Sequence, residues 1–286
     1  MEEQSVAVQY FLPVTIAMIM LAMGLGLVVD DFHRIFEKPK AVLVGLAGQL
    51  LLLPALGFAV AFAFGLRPEL AVGLVLLAAC PGGAHSNLYA SLARADVALS
   101  VTLTAVSSFI TIVTIPPLVS LATTVFAAGG EVPELPILDT MRQIFVVMAI
   151  PVVLGMWIRA RSERWAGRVE KVVKVFAIIL LALIVVGSIA RQSDNVVAFA
   201  KQAGVAVLAL NVVAMVIGYW MAVGAKLPKT QRRTITLEVG IQNGALAFAL
   251  AAGLLDSISV AIPAILYSIL VYFTGAVVIA QGRLDS

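Results

Sequence analysis

The chain has 286 residues, of which 62% are hydrophobic and only 12% are charged, and this balance excludes an ordinary water-soluble domain. Its net charge of +3 is too small and too dispersed for a nucleic-acid-binding surface, and its single cysteine excludes an internal disulfide. The composition predicts an all-α membrane protein whose surroundings are the lipid bilayer.

Apolar runs bounded by charged residues, Gly or Pro predict about nine transmembrane helices within one domain that covers residues 1–286. The opening residues carry no basic leader, so the first run is expected to be retained as a span. In chain order the predicted helices lie near residues 8–28, 41–64, 70–93, 97–125, 140–159, 170–190, 202–224, 233–254 and 258–281.

The positions of Lys and Arg predict the orientation of these helices. Fifteen of the nineteen fall after predicted helices 1, 3, 5 and 7 or in the C-terminal segment. The other four, at the opposite ends, are Arg67, Arg142, Arg191 and Lys201. Because cytoplasmic connections are enriched in Lys and Arg, we expect a protein of the cell (inner) membrane with its N-terminus outside and its C-terminus in the cytoplasm.

The third and eighth predicted helices are interrupted by polar or flexible residues. The third reads LLAACPGGAHSNLYASLA over residues 76–93, and the eighth reads TITLEVGIQNGALAFALA over residues 234–251. A proline and two glycines weaken the third helix, and such a break is tolerated at bilayer depth only where protein or a wet cavity satisfies the freed backbone groups. Cys80, beside this break, is most simply a small buried apolar residue.

The two interrupted helices also indicate an internal repeat. An offset of 156 residues places Ser86 and Asn87 on Gln242 and Asn243. Because the two elements are five helices apart, the copies would cross the membrane in opposite directions. The pattern predicts an inverted repeat of four plus five helices, over residues 8–125 and 140–281, with the two discontinuous helices crossing near the midplane.

Of the sixteen Asp and Glu residues, only Glu238 is predicted to lie well inside a helix. Its burial costs on the order of 3 kcal/mol, a cost that a bound cation would relieve. Gln242 and the backbone carbonyls of Val239 and Ile241 are hard oxygen ligands of the kind that suit an alkali cation. A purely structural Glu238, protonated or bonded to the backbone, is the alternative.

Other polar residues inside predicted helices leave two interpretations open. Ser100, Thr104, Ser107 and Thr111 form a hydroxyl stripe on the fourth helix, which would face a second cation or bond the preceding turn of its own helix. Gln49 is a lone amide in the second helix, either an interhelical hydrogen-bonding group or a ligand.

The helix that restarts after the first break favours an anion at its beginning. The backbone amides of Ala84, His85 and Ser86 are predicted to be free there, and the N-terminus of a helix attracts negative charge. His85 has no evident carboxylate partner in the sequence, so a polar or packing role is preferred to a role as proton carrier.

At these segments the sequence resembles the bile acid:sodium symporter family, in its nine-span bacterial form. The resemblance is carried by ACPGGAHSNLYASLARADVALSVTLTAVSS and TLEVGIQNGALAFALAAG. It implies two Na⁺ sites and a core, holding the broken helices, that moves against a panel supplied mainly by helices 1, 5 and 6. The implied residues of the first site are Ser86, Asn87, Ser100, Thr104 and Glu238. Those of the second site are Gln49, Glu238, Val239, Ile241 and Gln242.

The resemblance is weaker on the substrate side. Members that take bile acids often carry a hydroxyl residue in place of Ala84 and a polar pair in place of Val271 and Tyr272. The residues expected at the substrate are Ala84, His85, Asn243 and Tyr272, and the choice among a bile-acid-like compound, pantoate and a keto acid stays open.

The sequence as a whole predicts a symporter, not an enzyme, in which two Na⁺ ions and a small organic anion bind and access alternates between the two sides. A proton-coupled transporter or an arsenite-type exporter of related architecture is the alternative. An intramembrane lipid-modifying enzyme is a more distant one, because the buried polar groups lie away from the membrane interface.

Overall fold

A computed structural model describes residues 12–126, 142, 145–191, 193–255 and 257–284. The described residues form α-helices joined by short connections and contain no β-strand, so the predicted all-α class is confirmed. The helices of the first half are α1 (Leu12–Gly26), α2 (Asp30–Glu37), α3 (Pro39–Ala63), α4 (Pro68–Ala79), α5 (Ala84–Leu92) and α6 (Val97–Phe126). Those of the second half are α7 (Ile150–Arg161), α8 (Glu163–Arg191), α9 (Ser193–Gly224), α10 (Lys229–Gly240), α11 (Gly244–Leu254) and α12 (Ile258–Leu284).

Several of these helices are long and apolar enough to cross a membrane by themselves. They are α3, α6, the Phe199–Gly224 part of α9, and α12; α1 and α2, bent by 63° at their junction, pass the same test as a pair. By contrast, a helix of 12 residues such as α4 is only about 18 Å long, against about 30 Å of hydrocarbon. The prediction of a membrane protein is confirmed, whereas the number of nine spans stays a prediction.

The ends of two predicted helices fall partly outside the described residues. For the predicted helix 8–28, the structure describes residues from 12 onward, and α1 ends at Gly26. For the predicted helix 140–159, residues 140, 141, 143 and 144 are not described, and a π-helical turn, Phe145–Ala149, leads into α7. The division into repeats over 8–125 and 140–281 therefore stays a prediction.

The core of the molecule surrounds α4, whose residues from Leu70 to Ala79 are all buried. This helix packs against α3, α6 and α12, while α9 packs against α10 and α12. A second group consists of α1, α7 and α8, the helices that contain the three expected in the panel. Within it, α1 and α7 approach closely, since a Cβ on Gly24 would lie 2.2 Å from the Val152 carbonyl oxygen.

The connections after predicted helices 1, 3, 5 and 7 meet at one end of the molecule. Lys38 Nζ donates to Asp96 Oδ2 over 2.6 Å, and the Asp96 amide donates to Thr234 Oγ1 over 2.9 Å. Arg159 Nη1 donates to the Leu25 carbonyl over 3.4 Å. Most of the Lys and Arg residues therefore share one end, as the charge count requires, and the side of the membrane that this end faces stays a prediction.

Candidate functional site

The two helix breaks lie against each other and are joined by backbone hydrogen bonds. The Gly83 amide donates to the Ile241 carbonyl over 3.2 Å, and the Asn243 amide donates to the Pro81 carbonyl over 2.9 Å. The connection is an isolated antiparallel bridge. Each break therefore satisfies backbone groups that the other has freed, which a bilayer interior requires.

Gly82 brings the backbone of the first break against the side chains of the second. It pairs with Gln242 across the bridge. A Cβ at this position would lie 2.6 Å from Glu238 Oε2 and 3.0 Å from Gln49 Nε2. The position therefore has no room for a side chain, a steric requirement beyond the helix-breaking role that the sequence predicts.

Glu238 is fully buried in α10 and accepts hydrogen bonds from four side chains. Its Oε1 accepts from the hydroxyls of Ser86 and Ser100, each over 2.5 Å. Its Oε2 accepts from the hydroxyl of Thr104 over 3.0 Å and from the amide of Gln49 over 3.3 Å. No Lys, Arg or His of the described chain forms an ion pair with it.

The residues expected at the first Na⁺ site form one connected network. Asn87 joins the cluster through the Ser100 hydroxyl, which lies 2.8 Å from Asn87 Oδ1 and within reach of Glu238. The network draws on α5, α6 and α10 and offers hydroxyl, amide and carboxylate oxygens. Oxygen ligands of this kind suit a hard cation.

The residues expected at the second Na⁺ site surround the backbone of Glu238. Gln49 Nε2 and Gln242 Nε2 donate to the Glu238 carbonyl over 2.9 and 3.0 Å, and Gln242 Nε2 also donates to the Val239 carbonyl over 2.9 Å. The Ile241 carbonyl accepts a hydrogen bond from the Gly83 amide of the first break.

Both glutamines leave a buried oxygen without a hydrogen-bond partner. These atoms are Gln49 Oε1 and Gln242 Oε1. An unsatisfied buried acceptor costs about 1–3 kcal/mol, and an amide oxygen is a cation ligand as well as a hydrogen-bond acceptor. The donor set at this position therefore fits an alkali cation.

The hydroxyl groups along α6 make two kinds of hydrogen bond. Ser100 and Thr104 contact the carboxylate, whereas Ser107 donates to the Thr104 carbonyl over 3.2 Å and Thr111 donates to the Ser108 carbonyl over 3.1 Å. The first two residues belong to the hydrogen-bond cluster of Glu238, and the other two bond the preceding turn of their own helix.

Comparison with known proteins places the chain in a family. Residues 13–199 match the family model described as Sodium Bile acid symporter family. The chain belongs to this family. The match contains Gln49 and the site residues of α5 and α6, whereas Glu238 and Gln242 lie beyond it. The resemblance seen in the sequence motifs is confirmed.

Individual relatives of the symporter family extend the likeness into the second half. The chain is 32% identical over 250 residues to "Probable sodium/metabolite cotransporter BASS2, chloroplastic" of Oryza sativa subsp. japonica, covering 87% of this chain and 58% of that protein. It is 28% identical over 261 residues to "Uncharacterized sodium-dependent transporter YocS" of Bacillus subtilis (strain 168), covering 91% and 78%. It is 28% identical over 240 residues to "Ileal sodium/bile acid cotransporter" of Oryctolagus cuniculus, covering 84% and 68%. These are names of transporters, not of enzymes, and the chain spans less than two thirds of the rice protein.

The residues expected at the substrate fall into two places. His85 and Tyr272 are exposed, and their ring centroids are 6.0 Å apart in an edge-on arrangement. Asn243 lies in the second break, is only 9% exposed, and caps α11 by accepting from the Leu246 amide over 3.0 Å. Ala84 begins α5 at the first break. The structure thus joins His85 to Tyr272 and places Asn243 at the bridge.

One prediction about the start of α5 is wrong. Free amides are predicted at Ala84, His85 and Ser86, but the Ser86 amide donates to the Gly83 carbonyl over 2.9 Å. The chain turns tightly at the break, so the amide of Ser86, the third residue of α5, reaches the carbonyl of Gly83, the residue that precedes the helix. The Ser86 hydroxyl lies 2.8 Å from the same carbonyl oxygen.

Two buried polar residues beside the second break are not predicted from the sequence. Asn211 Nδ2 in α9 donates to the Gly240 carbonyl over 2.6 Å, and the Tyr267 hydroxyl in α12 donates to the same oxygen. They hold the last carbonyl of α10. The signal for Asn211 is the one that singles out Gln49, a lone amide in an apolar helix. Gln49 itself lies in a π-helical turn, Gly48–Leu52, that the sequence pattern does not reveal.

Proposed function

We propose that this chain is a sodium-coupled symporter of a small organic anion that works by alternating access. The observation that carries the proposal is the buried carboxylate of Glu238, surrounded by hydroxyl and amide groups and not paired with a cationic side chain of the described chain. A carboxylate in that setting is stabilised by a bound cation. The names of the relatives from rice and Bacillus subtilis, a probable sodium/metabolite cotransporter and a sodium-dependent transporter, agree with the proposal.

In the proposed mechanism two Na⁺ ions are co-transported substrates that share Glu238. One ion binds among Ser86, Asn87, Ser100 and Thr104. The three hydroxyl oxygens turn their lone pairs toward the ion when their hydrogens rotate away from the carboxylate, and Asn87 offers its amide oxygen. The other binds Gln49 and Gln242 through the two unpartnered oxygens, together with the Val239 and Ile241 carbonyls.

Ion binding is proposed to order both breaks together, because their backbones are hydrogen-bonded to each other. One carboxylate with two Na⁺ ions carries a net positive charge, which favours an anionic substrate nearby. The proposed substrate residues are Ala84, His85, Asn243 and Tyr272, and the candidate substrates are a bile-acid-like compound, pantoate or a keto acid. Access alternates as the group of α1, α7 and α8 moves against the rest, within a nine-span inverted repeat whose N-terminus is outside.

Uptake into proteoliposomes tests the proposal, with the anion first selected by thermal-shift screening of pantoate, a keto acid and a bile acid. Wild-type protein should accumulate that anion only when a sodium gradient is imposed. Glu238→Gln removes the carboxylate charge with little change in size, and we expect it to abolish this uptake while the protein remains folded.

The matched control is Glu163→Gln, which removes a carboxylate from an exposed ion pair with Arg159 and should leave uptake unchanged. Sodium-driven uptake by Glu238→Gln equal to that of wild type would contradict the proposal. Uptake that ignores sodium and follows a proton gradient would instead support a proton-coupled relative.

A further inference from the structure

A groove of about 760 Å³ opens between α9, α10 and α12, away from the hydrogen-bond cluster of Glu238. Along α9 its lining proceeds from Val212 and Val216 to Trp220, one turn at a time toward the end of the helix. The connection that follows leads to the first residue of α10, Lys229, where the groove becomes cationic. The groove is therefore apolar along its length and basic at one end.

The basic end of the groove coincides with an unfavourable arrangement of charge. The first turns of α10 contain Lys229, Arg232 and Arg233, and its first turn has no acidic residue. A helix N-terminus carries a partial positive charge, so cations there destabilise the helix and an anion stabilises it. Within the described chain, neither Lys229 nor Arg232 forms an ion pair with a carboxylate. An anion bound beside Lys229 and Arg232 would therefore stabilise this end of α10.

At the basic end of the groove, one cationic side chain is fixed by a hydrogen bond and another is exposed. Arg232 Nε donates to the Leu227 carbonyl over 2.6 Å, which fixes the guanidinium beside the start of α10. Lys229 is exposed. Trp220 is 62% exposed at the level where the lining changes from apolar to basic, a position that tryptophan favours at a membrane–water boundary.

We infer that this groove binds an anionic phospholipid. Its phosphate contacts Lys229 and Arg232 at the N-terminus of α10, and an acyl chain lies along Val212, Val216 and Val277 between α9 and α12. The charge at one end matches the headgroup, and the exposed apolar residues match the chain. Basic pockets between transmembrane helices bind such headgroups. A small soluble anion would contact the basic end alone and would leave the apolar lining of the groove unoccupied.

The thermal midpoint of the purified full chain in detergent provides the test. Adding phosphatidylglycerol should raise the midpoint of the wild type by about 3 °C or more, because a ligand of the folded state stabilises it. Phosphatidylcholine and inorganic phosphate at the same concentration should leave it unchanged. A full shift with inorganic phosphate alone would overturn the lipid and assign the site to a free anion.

Two variants separate the groove from general surface charge. Lys229→Gln should lose at least half of the phosphatidylglycerol shift, whereas Lys226→Gln, which removes the same charge from the neighbouring connection outside the groove, should keep it. Equal losses in the two variants would overturn the site.

A third variant tests the acyl chain. Val216→Trp fills the apolar part of the groove and leaves the cations in place, so it should abolish the shift if a chain lies there. Native mass spectrometry of the same samples should count fewer retained lipids for Lys229→Gln than for Lys226→Gln. Equal counts would contradict the inference even if a variant alters thermal stability for other reasons.

Discussion

The two helix breaks reach one shared structure by different means. The break over residues 81–83 contains a proline and two glycines, so its backbone chemistry alone interrupts the helix. The break over residues 241–243 contains neither, although Gly240 and Gly244 flank it, and the carbonyl just before it is held from outside by Asn211 and Tyr267. The first break has its own proline, whereas the second combines flanking glycines with contacts from neighbouring helices.

The chemistry is divided between the two breaks in the same way. The helix that follows the first break supplies the Ser86 hydroxyl, whereas the second break supplies the Glu238 carboxylate and the Gln242 amide. The remaining contacts come from α3 and α6. Neither set contains all the ligands of an ion. The proposed site exists only where the two breaks are held together, so variants that separate them should have larger effects than variants that remove a ligand of only one ion.

The largest effect is expected from Gly82→Ala. The added Cβ would lie 2.6 Å from Glu238 Oε2, so the bridge and the carboxylate must move apart. We expect no measurable sodium-dependent uptake and a loss of about 1–3 kcal/mol in stability. Gly204→Ala is the control, because nothing lies within 4 Å of a Cβ built there. Uptake by Gly82→Ala at the level of this control would show that the contact between the two breaks is not required for transport.

The second break should weaken when its outside support is removed. The double variant Asn211→Leu with Tyr267→Phe leaves the Gly240 carbonyl without its two side-chain donors, and we expect a loss of about 1–3 kcal/mol in unfolding experiments. Each single variant should cost less, because the other donor remains, so the cycle should be non-additive. Tyr219→Phe, which alters an exposed tyrosine of α9, should have no effect. Additive single costs would show that the two residues do not share one carbonyl.

A smaller effect separates the two halves of the hydroxyl stripe. Ser100→Ala removes a group that contacts both Glu238 and Asn87, and we expect the sodium concentration for half-maximal uptake to rise about tenfold. Ser107→Ala removes a hydroxyl that bonds only its own helix and should change that concentration less than about twofold. Similar changes in both variants would assign the stripe to helix packing.

The smallest effect concerns the ion pair between Asp96, which precedes α6, and Lys38, which precedes α3. Burial acts to raise the pKa of Asp96, but hydrogen bonds from Lys38 and the Leu99 amide outweigh it and lower the pKa below its usual 3.8. Because the folded state then binds fewer protons, this contribution to stability is full above about pH 4 and is lost as the pH falls through the folded pKa.

The variant Asp96→Asn keeps a helix-capping side chain and removes the charge. We expect it to cost about 0.2–1 kcal/mol at a constant level between about pH 5 and 8, and the difference from wild type to shrink as the pH falls through the lowered pKa of Asp96. Thermal unfolding across this pH range measures it. A cost that grows in acid would contradict the assigned direction of the shift.

Much of this molecule is predictable from sequence, because lipid imposes simple rules. The apolar runs give the helical class, and a single acid inside a helix points to Glu238. The proline and glycines of the first break mark it directly. The π-helical turn that carries Gln49 leaves no such mark, and the partners of Gly240 become visible only when α9, α10 and α12 are packed together. Ser86 shows the same limit, because its amide is satisfied by a turn that the sequence pattern does not specify.

The central claim is that the paired breaks bind sodium through Glu238, and binding is tested more directly by ligand-induced stabilisation than by transport. The decisive measurement is the thermal midpoint of purified wild-type protein and of Glu238→Gln in NaCl and in KCl at equal ionic strength. We expect sodium to raise the midpoint of the wild type relative to potassium, whereas the variant, still folded in potassium, should show no such rise. An equal rise in both proteins would exclude sodium binding through Glu238.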